Sequence, residues 1–438
     1  MSRARRGHCP GVSRPMATGD GLLARIVPSS PISIDAFVAL CEAGQAHGNG
    51  IMEVTQRGSL QVRGLSPVSA PLFARSVAAL DLSDEGIPSL LTSPLLGLDL
   101  EEAVDLRGLV PALLRELKHR TDMPPMDPKV SVLIDGGGAL HMDEVSADLR
   151  LRAGEGSGLH MSIAGRAQDS TSLGWMHPWH AIEAIIRVLC AIARRGPDAR
   201  ARDFVNVEDA RALRDLLADI LCVTPLPPPV PRPRAEPIGT HRLNTGMLAR
   251  GFALPFGYIE ANTLRCFAQS AARYGAASIR PAPDRVLLVI GLPVSAVDDL
   301  VAAATQQELI VQPQDARRHV VACAGAPACA SAMLRTRQWA AQVAEAAAPL
   351  LDGSVTIHLS GCAKGCAHPK AAGLTLVGPD RLVVMGRASD AAFGRISPAD
   401  FVAGLRRLHA ARDGSLAALL RQSDFASRLG AHGEPARV

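Results

Sequence analysis

Four cysteines in the last third of the chain form two close pairs. "VACAGAPACASA" (321–332) contains Cys323 and Cys329, and "SGCAKGCAHP" (360–369) contains Cys362 and Cys366. Four thiolates can form a tetrahedral sulfur site for zinc or for an iron–sulfur cluster. The spacings C-x5-C and C-x3-C span a wider object than the C-x2-C knuckles typical of structural zinc sites. We therefore expect an iron–sulfur cluster, with zinc or purely structural thiols as the alternatives.

The other cysteines are scattered, and most of them are expected to be small apolar residues in helices: Cys9, Cys41, Cys190, Cys222 and Cys266. Clustered thiols hold metal more often than disulfides in the cytoplasm, where we expect the protein to reside. The basic N-terminus lacks the apolar segment of a signal peptide and is expected to be a disordered tail. No apolar run approaches the roughly 18–20 residues that span a bilayer, so no membrane partner is expected.

The composition indicates which partners and how many domains to expect. The chain has 438 residues, 47% of them hydrophobic, which is enough for two or three packed domains. Its net charge of +4 arises from 46 basic and 42 acidic residues, a balance that does not indicate nucleic-acid binding. Aromatic residues make up only 3%, which argues against a base-stacking surface.

A proline-rich segment, "VTPLPPPVPRPRAEPIG" (223–239), divides the chain into halves that begin alike. "GDGLLARIVP" (19–28) is similar to "NTGMLARGFALP" (244–255). Each is followed by a helical pattern, at 34–48 and 261–275, and then by an expected strand, at 50–65 and 276–292. A unit repeated at so long a spacing indicates a duplicated domain pair, and two such units could share one sheet about a pseudo-two-fold axis.

A larger mixed segment follows each unit, so the expected fold class is α+β. In the first half, strands are expected at 129–140 and 159–167 and helices at 177–195 and 207–221. In the second half, strands are expected at 319–325, 355–361, 373–379 and 381–387, with helices at 329–351 and 397–414. The expected domains are a tail (1–15), a first half-domain (16–75), a first mixed module (76–222), a linker (223–240), a second half-domain (241–310) and a cluster-binding module (311–438).

The cysteine pattern resembles the cluster signature of the nitrite and sulfite reductase superfamily, and the repeated units resemble its paired ferredoxin-like half-domains. This resemblance implies one [4Fe-4S] cluster on Cys323, Cys329, Cys362 and Cys366. In members that contain sirohaem, the last cysteine, here Cys366, bridges the cluster to the sirohaem iron. The resemblance covers nearly the whole chain.

Within the superfamily, "GCAKGCAHP" and "CAGAPACASA" look like the precorrin-3B synthase family. "MPPMDPKVSVLIDGGG" (123–138) resembles that family's "PPKF…DGGG" segment, which makes Lys129 the match for its lysine. Arg57 in "TQRGSLQ" matches one cation of the reductase anion site, but Pro88 stands where the reductases carry another arginine. A lost cation weakens a site for sulfite or nitrite, because cations stabilise the charge of the transition state.

The resemblance implies oxygen-dependent hydroxylation of precorrin-3A at C20, with formation of a γ-lactone, in aerobic cobalamin biosynthesis. It also implies a mononuclear non-haem iron, for which His358, His368 and His141 are candidate ligands. No G-x-G-x-x-G follows an expected strand, so a separate ferredoxin or NADH-dependent reductase is expected to donate electrons. The cations expected to bind precorrin carboxylates are Arg57, Lys129, Arg280 and Arg285. The alternatives are a sirohaem-dependent nitrite or sulfite reductase and a zinc-stapled scaffold without enzymatic activity.

Overall fold

A computed structural model describes residues 10–82, 87–154, 156, 158–223, 227–410 and 414–432. Residues 1–9 of the expected N-terminal tail, including Cys9, lie outside the described residues, as do residues 224–226 of the linker. Within the described ranges, no helix is both long enough and apolar enough to cross a bilayer.

The first repeated unit contains a helix packed on a sheet. Helix α1 begins after Ser33, whose hydroxyl accepts a hydrogen bond from the Ala36 amide and so satisfies a free N–H of the first turn. The segment 50–65, expected as one strand, is a hairpin that turns at Gly58, where φ is +77°. The elements are β1 (Met16–Thr18), β2 (Gly21–Ile26), β3 (Ile32–Ser33), α1 (Ile34–His47), β4 (Ile51–Val54), β5 (Leu60–Leu65) and α2 (Ser69–Ala79).

The second repeated unit has the same order of elements. Its expected strand at 276–292 is also a hairpin, because Asp284 and Arg285 both take positive φ and reverse the chain. The elements are β11 (Gly239–Arg242), β12 (Leu248–Ala253), β13 (Tyr258–Glu260), α6 (Ala261–Arg273), β14 (Ser278–Ala282), β15 (Val286–Leu292) and α7 (Val297–Gln306).

The two units exchange a strand. Within the described residues, the first sheet has the order β1-β2-β5-β4-β13 and the third sheet has the order β11-β12-β15-β14-β3. Each sheet thus ends on a short antiparallel strand from the other half of the chain. Helices α1 and α6 pack together, and Phe37 and Phe267 lie in one common core. The expected pairing of half-domains is confirmed, although the units build two sheets that interlock where one shared sheet was considered.

The mixed segments form two further sheets that resemble each other. Within the described residues, the second sheet has the order Thr171–Met176, Leu159–Gly165, Ala147–Ala153, Ser131–Asp135 and Ser89–Thr92, and the fourth has the order Val320–Ala322, Ile357–Ser360, Ala372–Val377, Arg381–Gly386 and Gly394–Arg395. In each sheet the first three strands along the chain are parallel to one another. The two strands that follow them in the chain each pair antiparallel with the strand before. The first mixed segment contains β6 (Ser89–Thr92), α3 (Leu109–His119), β7 (Ser131–Asp135), β8 (Ala147–Ala153), β9 (Leu159–Gly165), β10 (Thr171–Met176), α4 (Ala181–Arg194) and α5 (Val207–Leu216).

The last segment contains β16 (Val320–Ala322), α8 (Thr336–Ala347), β17 (Ile357–Ser360), β18 (Ala372–Val377), β19 (Arg381–Gly386), β20 (Gly394–Arg395), α9 (Pro398–Ala410), α10 (Leu416–Leu419) and α11 (Phe425–Leu429). The helix expected at 329–351 begins only at Thr336, because residues 329–335 form a loop that carries Cys329. The whole chain is therefore a duplication, in which a strand-exchanged unit and a mixed sheet occur twice.

Candidate functional site

The two cysteine pairs meet at one edge of the fourth sheet. Strands β16 and β17 are parallel, with Ala322 opposite Leu359, and the amide of Cys323 donates to the Leu359 carbonyl at 3.2 Å. Cys323 directly follows β16, and Cys362 follows β17 after one glycine. Since the carboxyl ends of neighbouring parallel strands lie at the same edge of a sheet, the fold brings the two cysteine-bearing loops together.

Hydrogen bonds join the two loops directly. The amide of Gly361 donates to Sγ of Cys323 at 3.1 Å, and the amide of Met333 donates to the Gly361 carbonyl at 2.8 Å. Lys364 Nζ donates to the Ser331 hydroxyl at 3.0 Å, so the Lys364 side chain crosses from one loop to the other. An amide N–H directed at sulfur favours the thiolate, which is the form that ligates metal.

The loop that carries Cys329 rests on the first repeated unit. The amide of Gly19 donates to the Ala328 carbonyl at 3.2 Å, and Arg63 donates to the same carbonyl at 2.9 Å. Arg63 is 4% exposed and also pairs with Asp20 at 2.9 Å. A Cβ at Gly19 would lie 2.6 Å from the Ala330 nitrogen, so only glycine allows the two backbones to approach this closely.

A cavity of about 900 Å³ opens beside the last cysteine. Cys366 lines it together with residues from both repeated units, both mixed segments and the linker. The volume falls within the ~300–1,000 Å³ range typical of small-molecule sites. Among the described lining residues, six are Arg or Lys and four are Asp or Glu, so the wall carries an excess of positive charge. This arrangement suits a large ligand that bears several carboxylates.

Arg57 and Arg285 occupy equivalent hairpin turns of the two repeated units and both line the cavity. The turns touch, because Arg57 forms a β-bridge with Pro283 and the Asp284 amide donates to the Gln56 carbonyl at 3.2 Å. Arg57 donates to the Ser146 carbonyl at 2.5 Å, while burial lowers the pKa of Arg285. In the part of the chain that the structure describes, the Arg285 guanidinium makes no protein hydrogen bond, which leaves it able to bind a carboxylate.

Arg280 and Lys129 are absent from the described lining of the cavity. Arg280 is 4% exposed and donates to the Thr92 hydroxyl and to the Ser29 carbonyl, so it joins the third sheet to the second. Burial lowers its pKa to about 10. Lys129 precedes β7, and its backbone amide donates to the Asp127 carboxylate at 2.8 Å. The structure thus places two of the four expected substrate-binding cations, Arg57 and Arg285, at the cavity.

The three candidate histidines have different surroundings. His358 is fully buried in β17, and neither ring nitrogen has a hydrogen-bond partner among the described residues. Burial, aided by His368 and Arg285, lowers its pKa to about 3, so the ring is neutral. The rings of His358 and His368 are 5.7 Å apart, whereas His141 lies at the linker and donates to the Pro233 carbonyl at 2.7 Å.

No three His, Cys, Asp or Glu side chains within the described ranges converge closely enough to hold a single metal ion. The three histidines therefore do not form a facial set with a carboxylate in those ranges.

Sequence reasoning did not identify most of the cations that line the cavity. These are Arg234, Arg317, Arg318 and Lys370. All four pair with acidic residues: Arg234 with Asp284 at 2.6 Å, Arg318 with Glu236 at 2.8 Å, Arg317 with Asp315 at 2.6 Å and Lys370 with Glu144 at 3.9 Å. The only signal in the sequence is a pair of short arginine-rich stretches, "PRPR" (231–234) and "ARRH" (316–319), which does not reveal that they meet.

Comparison with known proteins agrees with this geometry. No protein-family model matches the chain. A precorrin-3B synthase from Sinorhizobium sp. is 37% identical over 398 residues, which cover 89% of this chain and 85% of the relative. A ferredoxin–nitrite reductase from Synechococcus elongatus is 23% identical, covering 83% of this chain and 77% of the relative.

Among solved structures, the NirA protein of Mycobacterium tuberculosis matches with a TM-score of 0.71 at 20% identity, over 93% of this chain and 83% of that one. This likeness confirms the expected fold class, with two interlocked half-domains and two mixed modules. The identity and coverage shared with the Sinorhizobium protein go further, and they show that the chain belongs to the precorrin-3B synthase family.

Proposed function

We propose that the chain is a precorrin-3B synthase, which hydroxylates precorrin-3A at C20 with one oxygen atom of dioxygen and forms a γ-lactone. The observation that carries the proposal is the cavity, in which Cys366, Arg57 and Arg285 face the same space of about 900 Å³. The loop that would carry the cluster meets the cations that line the cavity there. A redox reaction on a macrocycle with several carboxylates requires both. The 37% identity to a precorrin-3B synthase supports the same function.

The four cysteines fit a [4Fe-4S] cluster. Their loops lie at one sheet edge, are joined by hydrogen bonds and are rich in glycine and alanine, which leaves space between the thiols. When bound, such a cluster supplies single electrons. The Gly361 amide would hold Sγ of Cys323 in position, and the Gly19–Ala328 contact would fix the loop of Cys329. Thiolates that must stay reduced are consistent with the cytoplasm as the compartment.

Arg57 and Arg285 would each pair with a carboxylate on the rim of the macrocycle, and these contacts would fix its orientation in the cavity. The fully buried His358 offers two unsatisfied ring nitrogens beside the loop of Cys366, since Gly365 would place a Cβ 3.8 Å from its ring. In this proposal Arg57 and Arg285 bind and orient the substrate, whereas His358 is absent from the described lining of the cavity. The described residues do not fit the implied non-haem iron, and no step is assigned to it.

The reaction needs electrons from outside the chain, since the sequence shows no dinucleotide-binding fingerprint. We propose a separate ferredoxin-type or NADH-dependent donor. The sirohaem reductases share the fold, so they supply the competing hypothesis, in which the cavity holds sirohaem as a cofactor. Pro88 disfavours it, because a small oxyanion depends on each of the cations that surround it.

The decisive experiment combines a spectrum with two activity assays on the purified, cluster-loaded protein. We expect a broad visible shoulder that bleaches with dithionite, no strong Soret band, and oxygen-dependent consumption of precorrin-3A. Negligible reduction of sulfite or nitrite is expected with a reduced viologen donor. Robust sulfite or nitrite reduction, with a Soret band and no activity on precorrin-3A, would establish the reductase hypothesis instead, and a colourless zinc protein would contradict both.

Gly19 provides a test of how the first half of the chain supports the cluster. We expect Gly19→Ala to push the Cys329 loop away, because the new Cβ would lie 2.6 Å from two backbone atoms that cannot rotate aside. Overpacking of this kind costs about 1–3 kcal/mol. The measurements are iron and sulfide per chain and the midpoint of thermal denaturation, both of which should fall.

Gly108→Ala is the matched control, because a Cβ at Gly108 meets nothing within 4 Å and the residue has an ordinary negative φ of −75°. It should retain the iron content and the thermal midpoint of the wild type. Equal iron content and equal midpoints in both variants would show that the Gly19 contact does not support the cluster loop.

A further inference from the structure

The linker covers a polar face of the second sheet. Residues on β8 and β9 alternate, so that Leu149 and Leu151 enter the apolar core while Arg150 and Arg152 point to the opposite face. The linker lies over that face: Trp175 Nε1 donates to the Pro227 carbonyl at 3.0 Å. Further along, Arg232 donates to Asp143 at 2.8 Å and also to Asp135.

A small cavity of about 30 Å³ remains between this face and the linker. Two arginines, one histidine and three serines line it, and Pro228 and Pro229 border it on the linker side. Every polar side chain in this described lining can donate a hydrogen bond, and none is a carboxylate. The volume is roughly twice the ~10–15 Å³ that one water requires, so the space suits a small inorganic ion and is too small for a nucleotide or a tetrapyrrole.

Both arginines are buried, and each has N–H donors without a hydrogen-bond partner in the described structure. Arg150 is 2% exposed and donates to the Met142 and Val145 carbonyls, while its Nε has no partner in the described structure. Arg152 is 7% exposed, and its Nε and Nη1 make no hydrogen bond there. Its nearest ionic contact is the 3.4 Å approach of Nη1 to Asp143. A buried donor without a partner costs about 1–3 kcal/mol, and more when it is charged.

The charges in this cluster do not balance. Among the described residues that interact electrostatically with Arg152, the cluster contains Arg150, Arg152 and Arg232 but only Asp135 and Asp143. Although burial opposes ionisation of Asp143, its hydrogen bonds from Arg232 lower its pKa to about 2, so it is already charged. Burial and Arg152 lower the pKa of His160 to about 4, which leaves that ring neutral. One buried positive charge is therefore uncompensated.

We propose that this cavity binds one small inorganic monoanion, with chloride as the ligand, and that the bound ion holds the proline-rich linker against the second sheet. The anion would accept hydrogen bonds from Arg150 and Arg152, which line the cavity and have N–H groups without partners in the described structure, and from the serine hydroxyls. It would neutralise the excess charge that otherwise repels Arg232. Because Pro228 and Pro229 border the same cavity, release of the ion would loosen the connection between the two halves of the chain.

The direct test is crystallography of the full, cluster-loaded protein in bromide, a heavier halide with strong anomalous scattering. An anomalous peak between Arg150, Arg152 and the linker prolines is expected. In parallel, the thermal midpoint is measured while chloride replaces gluconate at constant ionic strength. A ligand that binds only the folded state should raise the midpoint saturably, by about 2–5 °C.

Arg152→Met removes the excess charge and keeps the length of the side chain, so its midpoint should no longer depend on chloride. Arg211→Met is the matched control, since the Arg211 side chain is 80% exposed on α5, and it should respond to chloride as the wild type does. A wild-type crystal that shows only water at the site, or a midpoint that ignores chloride, would overturn the proposal. So would an equal response in Arg152→Met. The crystallographic result stands even if Arg152→Met fails to fold.

Discussion

Replacing any one of Cys323, Cys329, Cys362 or Cys366 with alanine is expected to remove most of the iron and sulfide from the protein. A [4Fe-4S] cluster uses one thiolate on each iron, and alanine offers no ligand atom. Oxygen-dependent consumption of precorrin-3A should fall to background in all four variants, because no electrons could reach the substrate.

Iron and sulfide per chain, with the visible spectrum, measure this outcome. Cys222→Ala is the control, because Cys222 is an exposed free thiol outside the two pairs, and it should retain the full cluster. Cys41 is unsuitable as a control, since it is buried in the core of the first unit and its loss would leave a void. If two or more of the four variants kept the cluster, the ligand assignment would be wrong.

The second large effect is expected from Arg57→Ala and Arg285→Ala. Each arginine faces the cavity from an equivalent turn, so each variant should lose one charge-assisted contact to a substrate carboxylate. Such contacts are worth ~1.5–3 kcal/mol, which corresponds to a fall in kcat/KM of roughly ten- to a hundredfold. The cluster should remain, because the proposed ligands are the four thiolates and neither arginine supplies a ligand atom.

The readouts are kcat/KM for precorrin-3A and iron per chain, with Arg211→Ala as a matched surface control. Arg280→Ala provides a contrast, since Arg280 is buried against Thr92. This variant should lower the thermal midpoint more than it changes the KM for precorrin-3A. Unchanged kcat/KM in both cavity variants would show that Arg57 and Arg285 do not bind the substrate. Loss of iron in either would instead assign it a role in supporting the cluster.

The meeting of the two cysteine loops could be predicted from the sequence because each pair of thiols is local. Two short motifs each carry two thiols, and the strands that precede them, at 319–325 and 355–361, were expected correctly. Their adjacency follows once those strands are parallel neighbours. The cations that line the cavity are different, because a single arginine in a strand or turn carries no pattern that shows which way it points. Arg285 and Arg280 stand five positions apart, yet one lines the cavity and the other ties two sheets together.

The strand exchange could not be predicted for a related reason. Strand β3 has two residues and β13 has three, which are too few to show an alternating pattern of apolar residues. Strand β8 was missed although its sequence carries a signal, since Asp148, Arg150 and Arg152 alternate with leucines as in a half-buried strand. The hairpins within 50–65 and 276–292 also carried signals, namely Gly58 and the "PDR" turn at 283–285, which interrupt runs too long for one strand.

The exchanged strands also determine when the molecule can finish folding. Glu53 in β4 pairs with Tyr258 in β13, roughly 200 positions later, so the first sheet keeps an open edge while the ribosome makes most of the chain. Exposed edges of this kind pair readily with other chains, and contacts so distant in sequence form slowly. We therefore expect chaperones to bind the nascent N-terminal half. Cutting the gene at the linker would yield two fragments, each of which lacks one strand of its sheet.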